Sequence, residues 1–362
     1  MRKNNNCTPP KILISGYTGL GHFVLRTALV KKLEELYPEC EIVIIAGNNY
    51  GTEFVVPEYE TYVLKETANF IYKFIFFIKL RKENIDVALL TFDASPGFLI
   101  RGCIIAGIPI RVGHVLEGAV VPDYYYSQSV TVKKKKVRNE IDMNLDLIEP
   151  IYNKGFKREY LPCVSINNVS ATLTNFDLEN NNYICVQISA ANGQVTNKLW
   201  LPGNFSTLIQ KLLLSYPDLK IVALGDKGDS LRVNKVCDNI KSNRLLNLSG
   251  KTNIEEAKSL IYHCRFLIAH DSGLLHLGNA LKTNVIAIYG FSSPDYYIEN
   301  LPSCHVIKEK CDCDESDKPT IFPGVFGEMT EEAFALSCPE PECMKRISVG
   351  KVYDKCVEIY NE

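Results

Sequence analysis

Short apolar runs alternate with longer stretches of helical periodicity along almost the whole chain. Lys11 to Ser15, Glu41 to Ala46, Asp86 to Thr91 and Pro109 to Gly113 read as strands in the first half; Tyr183 to Ile188, Lys220 to Leu224, Phe266 to Ala269 and Val285 to Tyr289 repeat the pattern in the second. Between them, apolar positions recur at helical spacing up to Leu36, over Phe70 to Leu80, to Ala106, over Ile141 to Leu147, from about Asn204, over Leu274 to Leu281, and from Gly350 to Tyr360. Near-continuous apolar strands alternating with helices mark parallel sheets covered on both faces. Periodicity fades over Glu149 to Asn182, so the link between domains is placed near residues 160 to 182. The fold class expected is α/β, with two doubly wound Rossmann-like domains facing a cleft, spanning 1–165 and 166–340.

Length agrees with two domains, since 362 residues exceed one ordinary core. A net charge of -2 carries no basic excess, which argues against nucleic acid as a partner. The 13 cysteines are scattered and the opening MRKNNNCTPP has no apolar core, so free thiols and a cytoplasmic location are expected. The Phe70 to Leu80 run is too short to span a bilayer and carries Lys73 and Lys79; a buried helix whose lysines reach solvent is expected, and a membrane-surface helix is the alternative. The Lys133 to Lys136 run is expected to be a solvated loop.

The candidate chemistry lies where strands give way to helices. In parallel sheets ligands bind beyond the carboxyl ends of strands. Asp271, Ser272 and Gly273 follow one such strand, and backbone N–H groups at the following helix start suit the oxygens of a diphosphate, with His276 one turn further on. Gly16 to His22 forms a glycine-rich turn after the first strand, in which Gly19 and Gly21 let another molecule approach. No GxGxxG is present, so a nicotinamide enzyme is disfavoured. Asp93 stands beyond the Asp86 to Thr91 strand and is a candidate base. Gly225, Asp226 and Asp229 end another strand, where carboxylates suit ribose hydroxyls.

DSGLLHLGNAL followed by NVIAIYG closely resembles the Asp-Ser/Thr-Gly-x-x-His-Leu-x-x-Ala-Leu motif of the bacterial heptosyltransferases, glycosyltransferase family 9. The resemblance extends through Asp93, Gly97, Arg101 and Arg111-Val112-Gly113, through Lys198 and Trp200, and through Gly250-Lys251-Thr252. It implies a GT-B-type enzyme that transfers a sugar with inversion from a nucleotide-diphosphate donor, ADP-heptose above all, to a lipopolysaccharide core or related glycan. Ser189, Lys198, Trp200, Gly225, Asp226, Asp229, Gly250, Asp271, Ser272, Gly273 and His276 would bind the donor, with Lys198 neutralising the leaving diphosphate. Gly19, Gly21, His22, Arg101 and Arg111 would meet the acceptor. The family carries aspartate where this chain has His22, so the base is His22 or Asp93; the loop is also similar to the Gly-Gly-His loop of the peptidoglycan N-acetylglucosaminyltransferase. No cofactor is required for this chemistry.

Cys311, Cys313, Cys338 and Cys343 form two close pairs that suit a structural zinc or iron site. Their placement is similar to the cysteine finger of the autotransporter-modifying heptosyltransferases, which makes a protein acceptor the alternative, with an inactive nucleotide-binding homologue as a further one. A lipid-linked acceptor would imply peripheral contact with the inner face of the cytoplasmic membrane. The resemblance also implies that the terminal helix, within 341–362, packs back on the first domain.

Overall fold

The computed structural model describes residues 10–17, 19–47, 56, 58–91, 97–118, 120–132, 139–158, 161–166, 169–189, 198–290, 292–297, 301, 303–310 and 341–362. The chain divides into two compact units, with the first break between Pro162 and Cys163.

The N-terminal unit is built on the strands β1 (Lys11–Ser15), β2 (Glu41–Ala46), β3 (Glu60–Val63), β4 (Val87–Leu90), β5 (Ile110–Leu116) and β6 (Gln128–Val132). All pairings are parallel and the order is β3-β2-β1-β4-β5-β6. Continuous burial of Ile12, Leu13 and Ile14 in β1, and of Ile42 to Ala46 in β2, explains why these strands show no alternation: both faces are covered. Helix α1 (Leu20–Leu36) follows β1 and is buried along most of its length. Helices α2 (Phe70–Leu80) and α3 (Gly97–Ile105) share a core with Leu13, Val43, Ile45, Ala88 and Leu90, to which they contribute Phe77, Leu80, Leu99 and Cys103. A methyl group on Gly102 would fall inside the ring of Phe77, so this glycine sets how closely the two helices approach. Helix α4 (Glu140–Asp146), capped by the Asn139 side chain on Ile141 N–H, packs against α1.

The expectation of a buried helix over Phe70 to Leu80 is corrected here. Only Phe77 and Leu80 are buried, while Phe70, Ile71, Tyr72, Phe74, Ile75 and Ile78 are exposed. Apart from Lys73 and Lys79 the helix is apolar around its circumference, and its partner, α3, covers one side of it.

The C-terminal unit repeats the plan. Helix α5 (Val169–Asn175) precedes β7 (Tyr183–Gln187), α6 (Pro202–Ser215), β8 (Lys220–Leu224), α7 (Ser230–Cys237), β9 (Leu245–Asn247), α8 (Ile254–His263), β10 (Leu267–His270), α9 (Gly273–Ala280), β11 (Val285–Tyr289), α10 (Pro294–Tyr297) and β12 (Cys304–Lys308). The parallel order β12-β11-β10-β7-β8-β9 is that of the first sheet, strand for strand. Both sheets therefore have the doubly wound 3-2-1-4-5-6 order, with the winding reversing between β1 and β4 and between β7 and β10.

Helices α11 (Glu342–Arg346) and α12 (Val349–Asn361) complete this second core. Val352, Cys356 and Ile359 join Ile184, Val186, Phe205, Leu208 and Leu212, which corrects the expectation that the terminal helix packs on the N-terminal unit. Its apolar stripe is spent on α6 of its own unit.

Candidate functional site

Gly278 allows α9 to lie close on its sheet: a Cβ there would sit 2.9 Å from Val285 Cγ2 and 3.0 Å from Leu267 Cδ2. This contact fixes the start of α9 beyond the ends of β7 and β10, where Ser272, the N-cap, donates its hydroxyl to Gln187 Oε1 at 2.6 Å. The first turn of α9 leaves backbone N–H groups without intrahelical partners, which is the usual basis of an anion site.

Asp271 is buried beside this turn, with Lys198 Nζ 3.1 Å from Oδ2 and His276 Nε2 3.7 Å from Oδ1. Burial opposes its ionisation, but the Lys198 charge, with His276 close by, outweighs it and holds the carboxyl below the usual carboxylate range. The carboxylate thus fixes a lysine and a histidine at the mouth of α9. Residues from two separate stretches, Lys198 and the Asp271 to His276 motif, meet in one cluster.

His270 lies immediately behind. Its Nε2 accepts the Trp200 N–H at 2.9 Å, and burial, reinforced by the Arg232 charge, pushes its pKa down to about 3. The ring is neutral, with its hydrogen on Nδ1. Arg232 donates to Trp200 O at 3.0 Å.

Several other expected donor contacts are redistributed. The Trp200 ring is 0% exposed, donates to Ile347 O and packs edge-on to Phe205, so its side chain belongs to the core; this corrects its assignment as a donor contact. Asp229 is likewise corrected: it is buried and closes the turn after β8, its Oδ2 accepting the Asp226 N–H at 3.3 Å while Asp226 Oδ1 accepts the Asp229 N–H at 3.0 Å. Asp226 is the exposed member of the pair. Gly225 accepts the Gly250 N–H at 2.9 Å, and Gly250 has φ +68°, a left-handed conformation that favours glycine. Ser189 is fully buried, and its hydroxyl has no partner among the described residues.

In the N-terminal unit the reversal point is closed by Ser15 and Thr91, whose hydroxyls are 3.0 Å apart at the ends of β1 and β4. Gly19 is the N-cap of α1, placing Gly21 and His22 in its first turn. His22 Nδ1 is 2.7 Å from Glu140 Oε2; the histidine side chain is 26% exposed and the glutamate side chain is wholly buried. A carboxylate only accepts, so Nδ1 carries the hydrogen in this contact. Sequence reasoning missed Glu140, for which the sole local signal was an acidic residue after the Asn139 cap.

Arg111 is corrected as an acceptor contact: Nε and both terminal nitrogens donate to the carbonyls of Tyr125, Ile108 and Tyr124, so its guanidinium holds the strand-to-loop backbone. Arg101 is exposed, with Nε donating to Gly97 O at 3.2 Å. Asp93, the Lys133 to Lys136 run, Cys311, Cys313 and Cys338 lie outside the described residues. Cys343 is described and lies in the second core beside Met344 and Ile347. Among the described residues no group of three or more His, Cys, Asp or Glu suits a metal ion, and no helix is long and apolar enough to cross a membrane.

The chain is 31% identical over 102 residues to lipopolysaccharide heptosyltransferase 2 of Salmonella typhimurium, covering 27% of this chain and 29% of that protein. It is 23% identical over 288 residues to lipopolysaccharide heptosyltransferase 3 of Escherichia coli, covering 75% and 80%. The matches to the heptosyltransferase 2 sequences thus span less than a third of those relatives. Among solved structures, the E. coli ADP-heptose lipopolysaccharide heptosyltransferase II shares the fold with TM-score 0.73 at 20% identity, covering 97% of this chain and 98% of that one. The iron-containing dodecameric glycosyltransferase TibC of enterotoxigenic E. coli shares it with TM-score 0.56 at 15% identity, covering 98% and 76%. The model of glycosyltransferase family 9 (heptosyltransferase) matches residues 76–316, more than half of the chain. With its two doubly wound sheets and its motif at the start of α9, the chain belongs to glycosyltransferase family 9.

Proposed function

We propose that the chain is an inverting glycosyltransferase that moves heptose from ADP-heptose to a hydroxyl of a lipopolysaccharide core or related glycan. The observation that carries this reading is the cluster of Lys198, Asp271 and His276 at the open end of α9, where a cation and unpaired N–H groups suit a diphosphate. The acceptor oxygen loses its proton to His22 Nε2 and bonds to the anomeric carbon, while the bond from that carbon to the β-phosphate oxygen breaks and its electron pair leaves with ADP. Glu140 holds the His22 ring and stabilises the imidazolium formed. Lys198, oriented by Asp271, and the N–H groups of Ser272 and Gly273 meet the charge that develops on the diphosphate. Asp226 suits the ribose hydroxyls. Charge from these protein groups makes a catalytic metal unnecessary, so transfer is expected to persist in a chelator.

The test is release of ADP from ADP-heptose with a heptose-acceptor core oligosaccharide, run beside the His22→Ala variant. Turnover falling about 10²- to 10⁴-fold in the variant with ADP affinity retained supports the reading. Unchanged turnover would move the base to Asp93, and ADP binding without turnover in the parent chain would indicate an inactive homologue. An adhesin polypeptide, the alternative acceptor that the cysteine spacing suggests, is the second substrate to test.

A further inference from the structure

Helix α2 presents an apolar face to solvent that the core does not need. Phe70 is 78% and Ile71 69% exposed, and Phe74, Ile75 and Ile78 continue the same face at steps of four. Phe77 and Leu80 anchor the opposite side. A contiguous apolar surface of this kind marks an interaction site.

Its surroundings are cationic. Residues 65 to 83 carry Lys65, Lys73, Lys79, Arg81 and Lys82 against Glu66 and Glu83, a net +3 in a chain whose total is -2. Glu83 is engaged by Lys11 at 3.0 Å, and Lys73 Nζ stands 4.0 Å from the Phe98 ring centroid. Lys65, Lys79, Arg81 and Lys82 are exposed around the apolar stripe, and the helix itself contains no acid.

We propose that this outer face of α2 docks flat on an anionic lipid bilayer, with Phe70, Ile71, Phe74, Ile75 and Ile78 in the acyl boundary and the exposed cations among the headgroups. Tyr72 suits the interface, where an aromatic body is buried and a hydroxyl stays wet. Eleven residues make a helix about 16 Å long, which lies on a bilayer and does not cross it. A second copy of the chain fits the face less well. Two-fold packing would oppose like charges, and one such helix face falls short of the roughly 800 Å² per partner of a stable interface. The proposal does not rest on the donor or the acceptor assigned above.

The full chain is sedimented with phosphatidylcholine vesicles, with and without phosphatidylglycerol. Binding is expected to the phosphatidylglycerol vesicles and to weaken with salt. The exposed pair Ile71→Ser and Phe74→Ser lowers partitioning more than about tenfold, from the burial free energy of those side chains. Lys79→Ala and Lys82→Ala each lower it about fivefold on anionic vesicles alone. Thermal melting of both sets should match the parent. No partitioning, or partitioning that neither set alters, overturns the proposal. So does light scattering that shows a dimer dissolved by the Ile71→Ser and Phe74→Ser changes, since a second copy would then be the occupant.

Discussion

Replacing Glu140 by Gln keeps the shape of the side chain and an oxygen for His22 Nδ1–H but removes the charge that steadies the imidazolium. Turnover in the ADP-heptose assay is expected to fall about tenfold or more with ADP affinity unchanged, because Glu140 acts through His22 and touches no donor. The two residues are 118 positions apart and meet only because α4 returns to α1, so no spacing pattern could have paired them. His270 allows a pH prediction with a definite sign. It stays neutral in the fold until about pH 3, whereas the unfolded chain takes up a proton below about 6.5, so between these values acid favours the unfolded state. This group alone should cost about 1.4 kcal/mol per pH unit as pH falls through that window, and nothing above it. Denaturant titrations from pH 7 to 5 should show a shallower slope in His270→Gln, whose side-chain oxygen can still accept the Trp200 N–H. The Asp271 motif was legible because its residues are adjacent in sequence; the inward turn of Trp200 was not, because its partner, Ile347 O, lies 147 positions away.

At the scale of elements, the approach of α2 to α3 depends on the missing side chain of Gly102. Gly102→Ala is expected to cost about 1–3 kcal/mol, the usual price of overpacking, and denaturant unfolding would measure it. The strands were legible throughout, since burial on both faces of a parallel sheet leaves a continuous apolar run. The orientation of α2 was not. A helix apolar all round ordinarily reads as buried, and the sequence holds no mark of which side lacks a neighbour. Helix α12 posed the converse problem: its apolar stripe is plain, but nothing local names the core it closes.

At the scale of the molecule, two units of identical strand order each join polar side chains where the winding reverses, the Ser15 and Thr91 corner in one and the Gln187 and Ser272 corner in the other. A chain stopped after Ser348 would lose Val352, Cys356 and Ile359 from the second core and expose the face of α6 they cover. Loss of ADP binding with rapid proteolysis beyond residue 163 is the expected result, checked by limited digestion and mass spectrometry. The same helix imposes an order on synthesis. Among the described residues, the cluster around Leu13 and Leu90 has its buried members once Ile108 has been made, with Tyr125 and Tyr126 packing on soon after, whereas that around Phe205 must wait for Ile359 to leave the ribosome. During that interval β7, α6 and β8 are already outside with their apolar surfaces uncovered, so the span from Tyr183 onward is where a nascent chain would draw a chaperone.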